Sequence, residues 1–208
     1  GVFMLSTRQP DFSQLRKVLL RQGEPDRLPF IELFADREIM EAVIGEPIPT
    51  YALFEREKQD IAVRQTIRFW RETGYDYVGL GVRLDLPRKL ILADDTAGLT
   101  HSARAWQDES AGAIETWEDF ERFPWPRPET IDFYPLEYAS RNLPEGMKII
   151  VRGPGGQLEN IMWLMGYMPM SYALADDPAL VQAVADRVGE MLVTIFSTVA
   201  DMPSVGAL

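Results

Sequence analysis

The fold class of this chain is decided by the stretch Met147-Lys148-Ile149-Ile150-Val151-Arg152-Gly153-Pro154-Gly155-Gly156. Its first five residues form a short apolar run that is typical of a strand. The glycines and the proline end that strand, and a helical pattern follows from about Leu158 to Met165. A strand that leads through a Gly-rich turn into a helix is the unit from which parallel sheets are built. We therefore predict an α/β protein.

The same alternation extends on both sides of this stretch. Three further apolar runs predict strands, so that about four parallel strands are expected: Leu28–Phe34, Tyr75–Val82 and Pro203–Leu208. Two helical patterns lie between the first and second of these runs: Arg37–Ile44 and Glu55–Thr73. Asp177-Pro178 predicts the start of a long helix, because aspartate is a good N-cap and proline is favoured at the first helical position.

The alternation is interrupted between the second and third predicted strands. Leu90–Ala93 and Thr100–Trp106 flank a Gly-containing turn and predict an inserted antiparallel hairpin. Thr116-Trp117-Glu118-Asp119 resembles a capping box and predicts a short helix. Pro124–Pro128 is too rich in proline for a helix or a strand, so we predict an extended crossing segment. No repeat or flexible linker is evident, and residues 1–208 are predicted to form a single domain.

Composition excludes several classes of protein. The 208 residues include 32 acidic and 21 basic side chains, one histidine and no cysteine. An acidic chain without a clustered basic face is not typical of a nucleic-acid-binding protein. No window approaches the run of about 18 apolar residues that a membrane span requires. The absence of cysteine fits a reducing compartment, so we predict a cytoplasmic protein.

Several motifs together resemble the uroporphyrinogen decarboxylase family, which also includes methyltransferases that act on corrinoid proteins. One stretch combines Gly-Pro-Gly-Gly at 153–156 with Met-Trp-Leu-Met-Gly-Tyr at 162–167 and Ala-Asp-Asp-Pro-Ala-Leu-Val at 175–181. Trp117–Pro126 is similar to a crossing segment of the methyltransferase-like branch. With the order of the N-terminal elements, the resemblance covers most of the chain from about residue 12.

The resemblance implies a TIM (β/α)₈ barrel. A complete barrel typically needs about 250 residues, so this chain is expected to hold the first half, as a single domain truncated on its C-terminal side. The alternative architecture is an open, doubly wound sheet.

Residues at the C-terminal ends of barrel strands face the active site, and two acids are therefore the candidate catalytic residues. Glu32 lies in the first predicted strand and could bind a cation or act as a base; alternatively it is hydrated or paired with Arg37. Asp85 follows the second predicted strand, where the resemblance implies an acid.

The predicted strand ends also carry the candidate substrate-binding arginines: Arg37, Arg83 and Arg152. In decarboxylases of this family the first strand leads into a Met-Arg-Gln-Ala-Gly-Arg stretch whose arginines hold substrate carboxylates. Here Phe34 stands in place of the first arginine, and only Arg37 is nearby. A substrate with eight carboxylates needs convergent cationic groups, so this departure favours the methyltransferase branch.

The Gly-rich loop is the second part of the candidate binding site. The amides of Gly153, Gly155 and Gly156 could hold an anion beside Arg152, or the glycines could serve a tight turn alone. The helix tyrosine of the family falls at Met162 or, with a slip of one residue, at Trp163. These begin a Met and aromatic cluster that either fills the core or lines a pocket for a flat macrocycle.

Two further candidates have simpler explanations. Asp94 and Asp95 could be paired carboxylates, but their place before Gly98 predicts a hairpin tip. His101 stands alone on the same hairpin and is expected to be an ordinary strand residue.

The resemblance implies a tetrapyrrole-type substrate and decarboxylation of porphyrinogen acetate side chains. The alternative is methyl transfer with a corrinoid protein, in which a zinc site of histidine and cysteines lies in the second half of the full-length parent. We expect no metal or cofactor in this chain and no activity from this chain alone. A third hypothesis is an inactive half-barrel that forms homo-oligomers through its open strand edges and an uncovered apolar helix face.

Overall fold

The computed structural model describes residues 8–94 and 103–208, which form eight α-helices and five strands. In chain order the helices are α1 (Phe12–Leu19), α2 (Arg37–Ile44), α3 (Arg56–Glu72), α4 (Trp117–Arg122), α5 (Tyr134–Asn142), α6 (Gln157–Met165), α7 (Tyr167–Asp176) and α8 (Pro178–Ala200). The strands are β1 (Tyr77–Gly81), β2 (Leu90–Asp94), β3 (Ala103–Gln107), β4 (Lys148–Arg152) and β5 (Val205–Ala207). The predicted turn residue Asp95 and the predicted strand residue His101 lie outside the described residues.

The chain divides into two compact units, each built from separate stretches of sequence. The first unit comprises Gly1–Val82, Asp132–Gly153 and Phe196–Leu208. The second comprises Arg83–Ile131 and Pro154–Ile195.

A parallel sheet of three strands, in the order β1-β4-β5, is the centre of the first unit. Tyr77 pairs with Lys148 at one end of β1, and Gly81 pairs with Arg152 at the other. Val78 and Ile149 are fully buried, as expected for strands that are covered on both faces. The prediction of an α/β protein with a parallel sheet is confirmed, and three of the four predicted strands form it.

Helix α3 packs against β1 through an aromatic contact. The predicted stripe of Val63, Ile67 and Trp70 is buried, as its helical spacing indicates. The Trp70 ring lies against Gly79, where an added Cβ would come within 3.4 Å of the indole. The ring of Tyr77 packs at 5.2 Å from that of Trp70, so helix and strand share one aromatic core.

The predicted strand over Leu28–Phe34 is wrong, because the structure has no strand there. Leu28, Ile31 and Leu33 are 77%, 65% and 71% exposed. The apolar pattern suits a strand, but a strand also needs a neighbour that satisfies its backbone groups. In the described part of the chain, β1 pairs with β4 alone, and no strand pairs with residues 28–34.

The second unit contains the predicted hairpin, in which β2 and β3 pair antiparallel with Leu90 opposite Gln107. The capping box at α4 is also confirmed. Thr116 Oγ1 accepts a hydrogen bond from the Asp119 amide at 3.2 Å, and Asp119 Oδ2 accepts one from the Thr116 amide at 2.9 Å. The Pro-rich segment forms neither helix nor strand over residues 124–127, and a single 3₁₀ turn follows at Pro128–Thr130.

Residues 109–114 run close to the junction of α6 and α7. The Ile114 amide donates to the Leu164 carbonyl at 3.0 Å, and the Met168 amide donates to the Glu109 carbonyl at 2.9 Å. An added Cβ on Gly112 would lie 2.1 Å from the carbonyl oxygen of Met165. No other residue fits there without moving the backbone.

Helix prediction succeeded where one apolar face or a cap was clear. Helix α8 begins after Asp177 as predicted, and Val184, Val188 and Ile195 on its apolar face are fully buried. Helices α1 and α7 were not predicted. Helix α7 lies within the Met and aromatic cluster, where apolar residues occur around the whole helix and leave no clear period.

A buried carboxylate, Asp132, ties the start of α3 to the start of α5. It accepts hydrogen bonds from Arg56 Nη1 at 2.7 Å, Gln59 Nε2 at 2.6 Å and the Phe54 amide at 2.7 Å. Phe54 has a left-handed φ of 64°, which costs free energy in a residue other than glycine. Burial disfavours the Asp132 charge, but the hydrogen bonds outweigh burial and hold the pKa of Asp132 below its ordinary value of 3.8.

Asp132→Asn is expected to lower the free energy of unfolding by about 2–4 kcal/mol at pH 7, because Arg56 loses its buried partner. The lowered pKa of Asp132 stabilises the wild type above about pH 4, and this stabilisation is lost as the pH falls through the folded-state pKa. Urea unfolding at pH 7 and pH 3 measures both effects. The exposed Asp201→Asn is the matched control, and an equal loss in both variants at pH 7 would contradict the prediction.

Candidate functional site

The C-terminal ends of β1 and β4 lie at the same edge of the parallel sheet, where Arg152 is the last residue of β4. Its side chain is accessible to solvent and has no hydrogen bond or ion pair within the described residues. Partial burial lowers the pKa of Arg152, and the nearby Tyr77 opposes that shift. Arg152 is therefore a partly desolvated cation whose donors are available to an anion.

Tyr77, the first residue of β1, holds the segment that carries Glu32. The phenol donates to the Glu32 carbonyl at 2.7 Å and accepts from the Glu32 amide at 2.7 Å. Burial raises the pKa of Tyr77, so the hydroxyl keeps its proton and can donate at neutral pH. Phe30 adds a second contact, with its ring 5.8 Å from that of Tyr75.

The candidate base Glu32 is exposed and accepts a hydrogen bond from the amide of Leu33 at 3.1 Å. Arg37 is the first residue of α2 and is half-buried. Within the described residues, neither side chain takes part in an ion pair with the other. The structure therefore places Glu32 beside Tyr77 in the first unit but does not form the predicted alternative pair with Arg37.

In the second unit, the Gly-rich loop is shaped by the helix that follows it. Gly155 has a φ of 95°, and an added Cβ would lie 2.9 Å from both Glu159 Oε2 and the Trp163 ring. The Gly156 amide donates to Glu159 Oε2 at 3.1 Å. This amide is therefore already bonded, contrary to the prediction that it is free to bind an anion. At Gly156 the structure therefore favours the alternative that the glycine serves a tight turn.

The side chain of Asn160 on α6 stabilises the same loop through two hydrogen bonds. Its Nδ2 donates to the Pro154 carbonyl at 3.1 Å and to the Gly156 carbonyl at 2.9 Å. The residue is fully buried, and its Oδ1 has no hydrogen-bond donor among the described residues. An unpaired buried acceptor is costly, and this enclosed oxygen is not accessible to a ligand.

The Arg88 guanidinium lies 3.8 Å from the centre of the Trp163 ring in a cation–π contact. Burial lowers the pKa of Arg88, and the charges of Glu159 and Asp85 oppose that shift. Met162, the other predicted binding residue on α6, is half-buried. Trp163 thus lies between Gly155 and Arg88, and this packing fixes its ring.

Arg83 and Asp85 are brought together as an ion pair, with Arg83 Nη2 at 3.0 Å from Asp85 Oδ2. Both side chains are about half exposed. Residues 83–89 form neither helix nor strand; Leu84 and Leu86 are buried, whereas Arg83 and Asp85 are exposed. The candidate acid and one candidate arginine therefore neutralise each other at the surface of the second unit.

The described residues contain no cluster of three or more His, Cys, Asp or Glu placed to hold a metal ion. The zinc donor set that the methyltransferase branch implies requires cysteines, and this chain has none. Its donors therefore do not fit that site. In the described chain, no helix has the length and apolar character needed to cross a membrane.

Sequence reasoning missed Tyr77, Arg88 and Asn160. Tyr77 and Arg88 act through residues distant in sequence, so only the tertiary structure identifies them. Asn160 carried a local signal, because it stands four residues after Gly156 and a side chain there can reach back to the loop carbonyl. No protein family, curated protein or solved structure was found to match this chain.

Tyr77→Phe is expected to lower the free energy of unfolding by about 1 kcal/mol, because both hydrogen bonds to Glu32 are lost. Amide exchange in residues 28–34 should become faster, and mass spectrometry after deuterium labelling measures it. Tyr172→Phe is the control, since that phenol is 62% exposed and makes no hydrogen bond within the described chain. Unchanged exchange at Glu32 would show that the phenol does not hold the segment.

Proposed function

We propose that this chain is the first half of a TIM-barrel enzyme of the uroporphyrinogen decarboxylase-like family, working in the cytoplasm on a tetrapyrrole-type substrate. The motif resemblance and the β/α alternation support the barrel. The observation that carries the proposal is Arg152, a partly desolvated arginine without a described partner at the C-terminal end of β4. Enzymes of this fold bind their substrates at that end of the strands.

Decarboxylation of porphyrinogen acetate side chains is the first candidate reaction. Arg152 binds a substrate carboxylate with its guanidinium, and Arg37 is available for a second carboxylate. Fixed positive charge near the pyrrole ring orients the substrate and stabilises charge that develops as carbon dioxide leaves. Arg83 belongs to the second unit, where Asp85 already neutralises it.

Methyl transfer with a corrinoid protein is the second candidate. It is favoured by Phe34, which stands where the resemblance implies a carboxylate-binding arginine and is 55% exposed. Zinc in the parent enzyme would activate a thiol nucleophile. This chain cannot supply the donors for it, so its own role would be limited to binding the corrinoid partner.

An inactive, self-associating half-barrel is the third candidate. It is favoured by β1, which pairs on one side only in the described sheet, and by the exposed apolar side chains of Leu28, Ile31 and Leu33. Open strand edges and apolar patches promote association between copies. We propose a homo-oligomer on this basis, without turnover by this chain alone.

Absorbance titrations with uroporphyrin, coproporphyrin and hydroxocobalamin distinguish these three candidate functions. For decarboxylation we expect uroporphyrin to bind most tightly, and Arg152→Gln to weaken its binding by about tenfold or more, since a charge-assisted hydrogen bond is lost. Arg152→Lys should restore part of the affinity. Arg122→Gln is the matched control, because Arg122 is exposed and, among the described residues, pairs with Glu118 on its own helix.

Each alternative predicts a different result. Preference for hydroxocobalamin over uroporphyrin favours the corrinoid candidate. Binding of none of the three probes, together with an oligomer in light scattering, favours the inactive half-barrel. Uroporphyrin binding that is equal in wild type and Arg152→Gln rejects the role of Arg152.

A further inference from the structure

The second unit contains a cavity of about 630 Å³ that the proposed function does not use. It lies among residues 110–117, the helix α7 and the start of α8. Its volume is within the range of sites for small organic ligands. All the residues that line it belong to this one unit.

The apolar part of the cavity is formed by Trp117, Met168, Tyr172 and Leu180. Trp117 and Tyr172 remain 42% and 62% exposed, so their ring surfaces are accessible to a ligand. Trp117 is also held in place, because its Nε1 donates to Asp177 Oδ2 at 2.8 Å. An aromatic ring fixed in this way is typical of a binding surface for an apolar or cationic group.

The charged part of the cavity is entirely acidic. Glu115, Asp176 and Asp177 line it, and it has no lysine or arginine among its lining residues. Lys89 Nζ lies 3.2 Å from Glu115 Oε1 and compensates that carboxylate. Within the described chain, Asp176 has no ion pair or hydrogen bond from its side chain. The cavity therefore keeps uncompensated negative charge beside its aromatic rings.

Backbone donors that could attract an anion are already bonded near this cavity. The Leu180 amide at the start of α8 donates to Asp177 Oδ1 at 3.2 Å. The Asp119 amide in the first turn of α4 donates to Thr116 Oγ1 at 3.2 Å. The lining has open neutral donors such as the Tyr172 hydroxyl but no lysine or arginine, so an anionic ligand would meet carboxylates without a cation to balance them.

We propose that this cavity binds an organic ammonium ion with an apolar or aromatic body. The ammonium group lies between Asp176 and the face of Trp117, where a carboxylate and an aromatic ring both attract a cation. The body of the ligand packs on Met168, Tyr172 and Leu180. This site is independent of Arg152 and of the tetrapyrrole proposal.

The test uses three probes that share a phenyl body: phenethylammonium, phenethyl alcohol and 3-phenylpropionate. Isothermal titration calorimetry at low ionic strength should show the ammonium ion binding at least about tenfold more tightly than the neutral alcohol. The propionate should not bind. Added salt should weaken binding of the ammonium ion, because the carboxylate attraction is screened.

Two variants locate the site. Trp117→Leu is expected to weaken phenethylammonium binding by about tenfold and Asp176→Asn by about threefold. Trp106→Leu and Asp201→Asn are the matched controls, since both residues are exposed and outside the cavity lining. Circular dichroism verifies that each variant is folded, and Trp117→Phe, which keeps an aromatic face, should retain more affinity than Trp117→Leu.

Three results would overturn the proposal. The first is equal or tighter binding of phenethyl alcohol, which would make the cavity an uncharged apolar site. The second is binding that is unchanged in folded Trp117→Leu and Asp176→Asn, which would place the ligand elsewhere. The third is no detectable binding of phenethylammonium to the wild type.

Discussion

The parallel pairing of β1 with β4 is the interaction on which the first unit depends. Its register places Gly81 opposite Arg152 and so fixes where Arg152 stands at that strand end. The pairing also orients Tyr77, whose ring packs on Trp70 while its hydroxyl holds Glu32. A shift of one residue would turn every side chain of the strand to the opposite face. The aromatic contact of α3 and the position of Glu32 both follow from this register.

Elements with a strong local signal could be predicted from the sequence. Helix α3 showed a clear apolar stripe, α8 began with Asp177-Pro178, and α4 carried a capping box. Each signal depends on residues within one or two turns of one another, so no knowledge of the tertiary structure is needed. The segment 28–34 is the opposite case. Its composition suits a strand, but strand formation depends on a neighbour, and no described strand provides one.

The candidate site was predictable only in part for a related reason. Arg152 could be identified as a candidate because it stands at the end of a predicted strand. Gly155 could be identified because the tight turn there requires a glycine. What the other candidates can do depends on contacts that residue type alone does not settle, even where the partner is two or three residues away. The ion pair of Arg83 and Asp85 turned two candidates into a neutral surface pair, and the bond from Gly156 to Glu159 removed a free amide. The type of a residue shows which ligand it could bind, but its hydrogen bonds and ion pairs within the protein determine whether it is free to do so.

The discontinuity of the two units has a consequence for how the chain folds. The main chain passes from one unit to the other at residues 82–83, 131–132, 153–154 and 195–196. Strand β5, at the far end of the sequence, pairs with β4 in the same unit as the N-terminal helices. A ribosome must therefore deliver residues 205–207 before that sheet can be completed. Such long-range closure slows folding and leaves partly assembled intermediates exposed, so we expect chaperone dependence during synthesis to exceed that of a protein of equal length with contiguous units.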